Sequence, residues 1–144
     1  MQLLFKALRF ASEDDYVLLH SFCQERKLAT GEQLFDYEDD ADTLFFLHNG
    51  RLAVHKYSGF QSKMQVVALL DTGTVVAEGA VIEGHVHKCK VTAVDDCILS
   101  SLSHKAYCQF REKAPDLAFL LFEYLFKIAS LRLEKSTERM ARIL

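Results

Sequence analysis

Two stretches decide the fold: Gly31-Glu32-Gln33-Leu34-Phe35, and Ala41-Asp42-Thr43-Leu44-Phe45-Phe46-Leu47-His48-Asn49-Gly50-Arg51-Leu52-Ala53-Val54. Their apolar runs are two to four residues long, rich in Phe, Leu and Val, and set among Gly, Asp and Asn, which reads as short strands rather than helices. Asn49-Gly50 lies between two such runs and predicts a hairpin, because a type I′ turn needs positive φ at both central residues. The same pattern continues in both directions. Strands are expected at 33–35, 43–47, 51–57, 64–70, 88–93 and 97–102, separated by turn signals at Glu38-Asp39-Asp40, Ser58-Gly59 and Asp71-Thr72-Gly73.

Outside this block the pattern is helical. Residues 1–30 carry Leu4, Leu8, Leu18, Leu19 and Phe22, and Ser12 before Asp14 and Asp15 predicts a capped helix running to about Cys23. Ser103 is placed to cap a short helix ending near Lys113, and Pro115 suits the first turn of a long one. In that last helix Phe119, Phe122, Phe126, Ala129, Leu133, Ser136, Met140 and Ile143 recur at alternating steps of three and four. Leu117, Leu121, Tyr124, Ile128 and Leu131 lie on nearly the opposite side. A surface helix needs one apolar stripe, so one face is expected on the protein's own body and the other on a second copy in a parallel coiled coil. Burial of both faces within one chain is the alternative.

Composition bounds the rest. The 144 residues are 50% hydrophobic and 26% charged with one Pro, which fits one globular domain: helices over 1–30, a β-roll over 31–102, helices over 103–144. A formal net charge of −3 disfavours a protein built to bind nucleic acid. Neither a signal peptide nor a membrane span is legible, so a cytoplasmic location is expected, with Cys23, Cys89, Cys97 and Cys108 as reduced, buried thiols. Their spacings fit no zinc or iron–sulfur pattern, so no metal and no cofactor is expected. No GxSxG, HExxH, P-loop or GxGxxG motif occurs, and catalysis is not expected. The acidic run Asp36-Tyr37-Glu38-Asp39-Asp40 lacks the ligand rhythm of a calcium loop and reads as a solvated turn.

Taken together, the segments quoted at the outset, with Gly73, Glu78, Ala80 and Val91-Thr92-Ala93, resemble the cyclic nucleotide-binding domain family. That family includes regulators of the catabolite-activator type, regulatory subunits of kinases and gating domains of channels. The resemblance implies a mainly β fold with flanking helices: an antiparallel jelly-roll (double-stranded β-helix) of about eight strands with N-terminal helices and a long C-terminal helix. It also implies a phosphate-binding cassette, here 76–88, whose usual form is Phe-Gly-Glu, a small residue two positions on, and then an Arg.

In this chain the cassette begins Val76-Ala77-Glu78-Gly79-Ala80-Val81. Glu78 falls where the family's carboxylate accepts a hydrogen bond from the ribose 2′-OH. Gly79, Ala80 and Val81 belong to the short helix, expected over 79–83, whose free N–H groups would receive the cyclic phosphate of cAMP or cGMP. The ninth residue after Glu78, where kinase-regulatory members carry the Arg, is His87, with Lys88 and Cys89 beside it. Imidazole lacks the planar fork of guanidinium, and losing a bidentate contact costs about 1.5–3 kcal/mol. Binding is therefore expected to be weak, and weaker at higher pH if His87 must be charged. The family's C-terminal helix closes over the base, which makes Arg132, Ser136 and Thr137 candidate base contacts.

Three functions stay open: a cyclic-nucleotide sensor signalling through its last helix, a dimerisation or protein-interaction module with a degenerate pocket, and a haem or metal sensor using His85, His87 and Cys89. The chain ends at Leu144, where transcription regulators of the family continue into a helix-turn-helix, so direct DNA recognition is not expected and the candidate partners are a cyclic nucleotide, a second copy and another protein.

Overall fold

A computed structural model describes residues 8–58 and 63–144; Leu4, the opening Met1–Lys6 segment and Gly59 lie outside the described residues. Helix α1 (Glu13–Ser21) precedes strands β1 (Gln24–Leu28), β2 (Gln33–Phe35), β3 (Thr43–Asn49), β4 (Leu52–Tyr57), β5 (Met64–Leu70) and β6 (Val75–Val76). A short 3₁₀ turn (Glu78–Val81) leads to β7 (Lys90–Ala93), β8 (Cys97–Ser103), α2 (His104–Lys113) and the 29-residue α3 (Pro115–Ile143). Two four-stranded antiparallel sheets form, ordered β1-β8-β3-β6 and β2-β7-β4-β5. This is the mainly β jelly-roll with flanking helices that the resemblance implied.

The strand Leu44-Phe45-Phe46-Leu47 explains why the two sheets and the helices make one body. Successive side chains point to opposite faces, so Phe45 and Leu47 enter the core between the sheets with Leu52, Val91 and Leu99. Leu44 and Phe46 enter a second core against the helices, with Leu19, Phe110 and Leu121. A strand buried on both faces carries a continuous apolar run instead of an alternation, which is why this segment stands out in the sequence.

Four local expectations are corrected. Gln24–Leu28, read within a helical region, is an edge strand paired with β8 from Gln24↔Ser101 to Leu28↔Cys97. Four of its five side chains are exposed, so no apolar period marks it, and pairing overrides the helix preference of Gln, Glu, Arg and Lys. Asn49-Gly50 does not form a type I′ hairpin: β3 and β4 lie in different sheets, and only Gly50 has positive φ, at 98°. Gly50 is required there by close approach, since a Cβ would lie 2.5 Å from the Asp96 carbonyl and 2.7 Å from Cys97 Sγ. The seventh strand begins at Lys90 rather than Lys88. Of the four cysteines only Cys97 is fully buried, the others being half-buried; burial pushes the Cys23 thiol up to about 12.

The caps follow the sequence more closely. Ser103 Oγ accepts from Ala106 N at 3.1 Å, and Pro115 stands in the first turn of α3. Ser12 occupies the N-cap of α1 without a side-chain bond; its carbonyl accepts from Asp15 N at 3.2 Å instead.

Entry into the cassette is strained at one residue. Ala77 joins β6 to the 3₁₀ turn with φ 62° and ψ 49°, a left-handed conformation that costs a residue with Cβ about 1–2 kcal/mol. An Ala77→Gly chain is expected to gain about 0.5–1 kcal/mol, the relief of strain exceeding the added unfolded-state entropy of about 0.4–1 kcal/mol. Thermal melts should rise by about 2–4 °C. A lower melting temperature would mean that the Ala77 methyl, packed on the core between the sheets, contributes more than its backbone loses.

Candidate functional site

Beneath the cassette lies a cavity of about 820 Å³, bounded by β4, β5 and β7 on one side and by the second half of α3 on the other. Its size is that of a small-molecule site. Of the residues singled out from the sequence, Glu78, His87, Cys89, Arg132 and Ser136 line it.

The others lie elsewhere, each for a local reason. Ala80 and Val81 turn their side chains into the core under the helices. Gly79 gives His85 room, since a Cβ there would stand 3.0 Å from its Nε2. Lys88 is exposed and pairs with Glu38 at 3.3 Å, and the Thr137 hydroxyl donates to the Glu134 carbonyl at 2.8 Å.

The helical segment expected over 79–83 is a single 3₁₀ turn, Glu78–Val81. Ala80 N donates to Ala77 O and Ile82 N to Gly79 O. The outgoing limb of the cassette is extended and held by the acidic run: Val86 bridges Asp40, His87 N donates to Asp39 O at 2.9 Å, Glu38 N to His87 O and Ala41 N to His85 O, each at 3.0 Å. Asp36–Asp40, read as a solvated turn, is thus also the backbone partner of the cassette. Alternation of main-chain donors leaves no signal in residue type, so sequence reading misses it.

Glu78 does not wait unpaired. Arg132 of α3 reaches across the cavity and donates from Nη1 to Glu78 Oε2 at 2.6 Å, and from Nη2 to Val75 O at 2.6 Å and Thr74 Oγ1 at 3.3 Å. A partly buried carboxylate needs a compensating cation. That cation comes from the long helix rather than from the cassette.

His87 differs from what the family's Arg position suggests. Its ring is 8% exposed and stacks on Phe35, with centroids 3.5 Å apart and planes 8° from parallel. Burial holds its pKa below the ordinary histidine value, assisted by His85 and opposed by Asp39 and Asp42. A neutral, stacked imidazole forms part of the wall and brings no fixed positive charge to the cassette. Among the described residues no three His, Cys, Asp or Glu side chains converge as a metal site.

Sequence reading missed three basic side chains, Lys56, Lys135 and Arg139, which also line the cavity. The periodicities held the signal: Val54 and Lys56 share a face of β4, and Arg132, Lys135 and Arg139 recur at three and four along α3.

The α3 faces divide as the sequence suggested over the first half of the helix, whereas Leu131, expected on the body side, is 44% exposed and lines the cavity. Leu121 and Leu125 are buried, with Leu117, Tyr124 and Ile128 packed on the same core. Phe119 (62%), Phe126 (68%), Leu133 (65%) and Met140 (62%) stand exposed, so burial of both faces within one chain does not occur. Among the described residues no helix is long and apolar enough to cross a membrane.

Comparison with known proteins gives the following. A family model described as the cyclic nucleotide-binding domain matches residues 25–114. A cyclic nucleotide-binding domain from Methylobacillus flagellatus superposes with a TM-score of 0.90 at 19% identity, covering 99% of this chain and 83% of that one. The catabolite activator protein of Thermus thermophilus gives 0.80 at 18% identity, covering 95% of this chain; the match spans 62% of that protein's length. The sensor domain of the transcriptional regulator DNR from Pseudomonas aeruginosa gives 0.67 at 18% identity, covering 92% and 86%. A search of curated proteins found no match. At such identities the structural likeness speaks for the fold.

Proposed function

Because the chain belongs to the cyclic nucleotide-binding domain family, we propose that it is a regulatory module that binds cAMP or cGMP weakly in the cavity under the cassette and signals through α3. The observation that carries this reading is the cavity itself, about 820 Å³ with Glu78 at the cassette and Arg132 of the helix joined across it. A ribose hydroxyl offered to Glu78 competes with the guanidinium, so ligand and helix meet at one carboxylate. A ligand shifts α3 only by as much as it prefers one helix arrangement over the other. Weak binding follows from the cassette chemistry, where His87 supplies no guanidinium fork and a charge-assisted contact worth about 1.5–3 kcal/mol is missing.

Ser136, which lines the cavity from α3, is the proposed base contact. The exposed seam of Phe119, Phe126, Leu133 and Met140 favours a second component of the same reading, in which α3 pairs with α3 of a second copy. This dimer stands with or without nucleotide, and it is what remains if the pocket is degenerate.

Titration calorimetry with cAMP and with cGMP tests the ligand. Binding of one of them is expected, with the same affinity at pH 7 and pH 8, because burial lowers the pKa of His87 from its ordinary value and favours the neutral ring. Tighter binding at pH 7 would mean that a charged His87 takes part. No heat with either nucleotide at millimolar concentration overturns the sensor reading.

A further inference from the structure

Outside the cavity, one pair of side chains joins a nucleophile to a base. His104 opens α2 and Cys108 lies one turn on, so the two share a helix face. The Cys108 sulfur stands 3.5 Å from His104 Nε2, and His104 Nδ1 stands 3.1 Å from the Ala80 carbonyl oxygen. A carbonyl oxygen only accepts, so Nδ1 must carry the ring proton, and in the neutral ring Nε2 is left as the acceptor. Cys108 therefore donates its S–H to Nε2. The ring is anchored on a second side as well, since His104 N donates to Asp42 O at 2.7 Å. A thiol, a base and a third group that orients the base form the arrangement that activates a nucleophile.

The other cysteines lack it. Cys23 donates to the Leu19 carbonyl at 3.5 Å, and Cys97 to those of Arg51 and Asp95 at 3.4 and 3.2 Å. A carbonyl takes no proton from a thiol. Cys89 lines the cavity. Burial pushes all three of these thiols up, away from the thiolate that reacts. Among the described residues Cys108 is the one thiol hydrogen-bonded to an imidazole, and it is only half-buried.

We propose that Cys108 is a modification site, a thiol activated by His104 that hydrogen peroxide or an organic hydroperoxide oxidises to sulfenic acid. The sulfur attacks the terminal peroxide oxygen: an S–O bond forms as the O–O bond breaks, and sulfur gives up two electrons to the peroxide. The thiol proton passes through Nε2 to the leaving oxygen, which departs as water or an alcohol. This site stands independently of the nucleotide reading. The new oxygen lies between sulfur and ring, and the ring it displaces is the one bonded to Ala80 in the 3₁₀ turn of the cassette.

Peroxide treatment in the presence of dimedone, which traps sulfenic acid, followed by peptide mass spectrometry tests the site. Cys108 is expected to be labelled at least about tenfold faster than Cys23, Cys89 or Cys97. In His104→Asn the amide still donates to Ala80 from the place of Nδ1 but no base remains at Nε2, so labelling of Cys108 should slow by at least about tenfold. A melting curve checks that this variant folds, and the comparison of the four thiols in the parent needs no variant. In the oxidised parent, amide exchange at Ala80 and Ile82, whose N–H groups close the turn, is expected to accelerate at least about threefold, with no change in Cys108→Ser treated alike. Labelling of Cys108 no faster than Cys89, or within about twofold of the parent rate in His104→Asn, overturns the activated thiol. Exchange at Ala80 and Ile82 that oxidation leaves unchanged overturns its link to the cassette.

Discussion

Arg132→Met is expected to destabilise the chain by about 2–3 kcal/mol, most of it felt in α3. The guanidinium joins the helix to Glu78, Val75 and Thr74 through three hydrogen bonds, and bonds with a charged partner contribute about 1.5–3 kcal/mol each when shielded. Side-chain exposures of 31% for Arg132 and 24% for Glu78 bring the total toward the lower end, since water screens part of the pair. Methionine keeps the length and helix propensity while leaving the Glu78 carboxylate without its cation. Beyond Arg132 every α3 side chain is exposed, so little apolar packing replaces the lost tether, and amide exchange should accelerate in 129–139 before it does in 115–125.

Glu78→Gln should cost less, because the amide oxygen still accepts from Arg132. In a double-mutant cycle the two changes should couple by about 1–2 kcal/mol. Costs that add within about 0.3 kcal/mol would show that Glu78 and Arg132 act separately, and the proposed link between ligand and helix would lose its physical basis.

The residues that sequence placed well are those whose environment imposes a pattern. Leu44-Phe45-Phe46-Leu47 is buried on both faces and could be nothing else, while Ser103 and Pro115 serve local needs of helix starts. Gln24–Leu28 was hidden because its strand conformation is fixed by β8, a partner some seventy residues away, and not by its own polar side chains. Asn49-Gly50 was misread for a related reason: the residue pair signals a turn, but whether a turn closes a hairpin or hands the chain to another sheet depends on which strands pair.

The candidate site was legible in the same uneven way. Resemblance located Glu78 and the cassette, yet position alone made Arg132 a base contact, whereas geometry makes it the carboxylate's partner. His87 reads as a substitute cation in sequence and as a buried, stacked ring in space, a distinction set by Phe35 from a distant strand. Lys56, Lys135 and Arg139 passed unnoticed because a basic residue on an exposed strand or helix has no meaning until the fold shows which faces enclose a cavity.

The largest effect is expected on self-association. In the proposed parallel pairing of α3, Phe126 and Leu133 lie along the seam and are 68% and 65% exposed in the single chain. Burying a large apolar side chain is worth about 1.5–3 kcal/mol, and two-fold symmetry counts each position twice. Phe126→Lys/Leu133→Lys removes that burial and sets like charges face to face, so the dimer should weaken at least about a thousandfold, equivalent to about 4 kcal/mol. The fold of each chain should be unaffected, because neither side chain belongs to either core. Sedimentation equilibrium should then find a dimer for the parent and a monomer for the variant across the micromolar range. A monomeric parent at hundreds of micromolar, or a variant that remains dimeric, would exclude this seam as the contact. Ser136 belongs both to the seam repeat and to the cavity lining, so pairing and ligand act on one turn of helix. Linkage then requires that, if nucleotide strengthens the dimer, the monomeric variant bind nucleotide more weakly than the parent; equal affinity in the two would mean that association and sensing are independent.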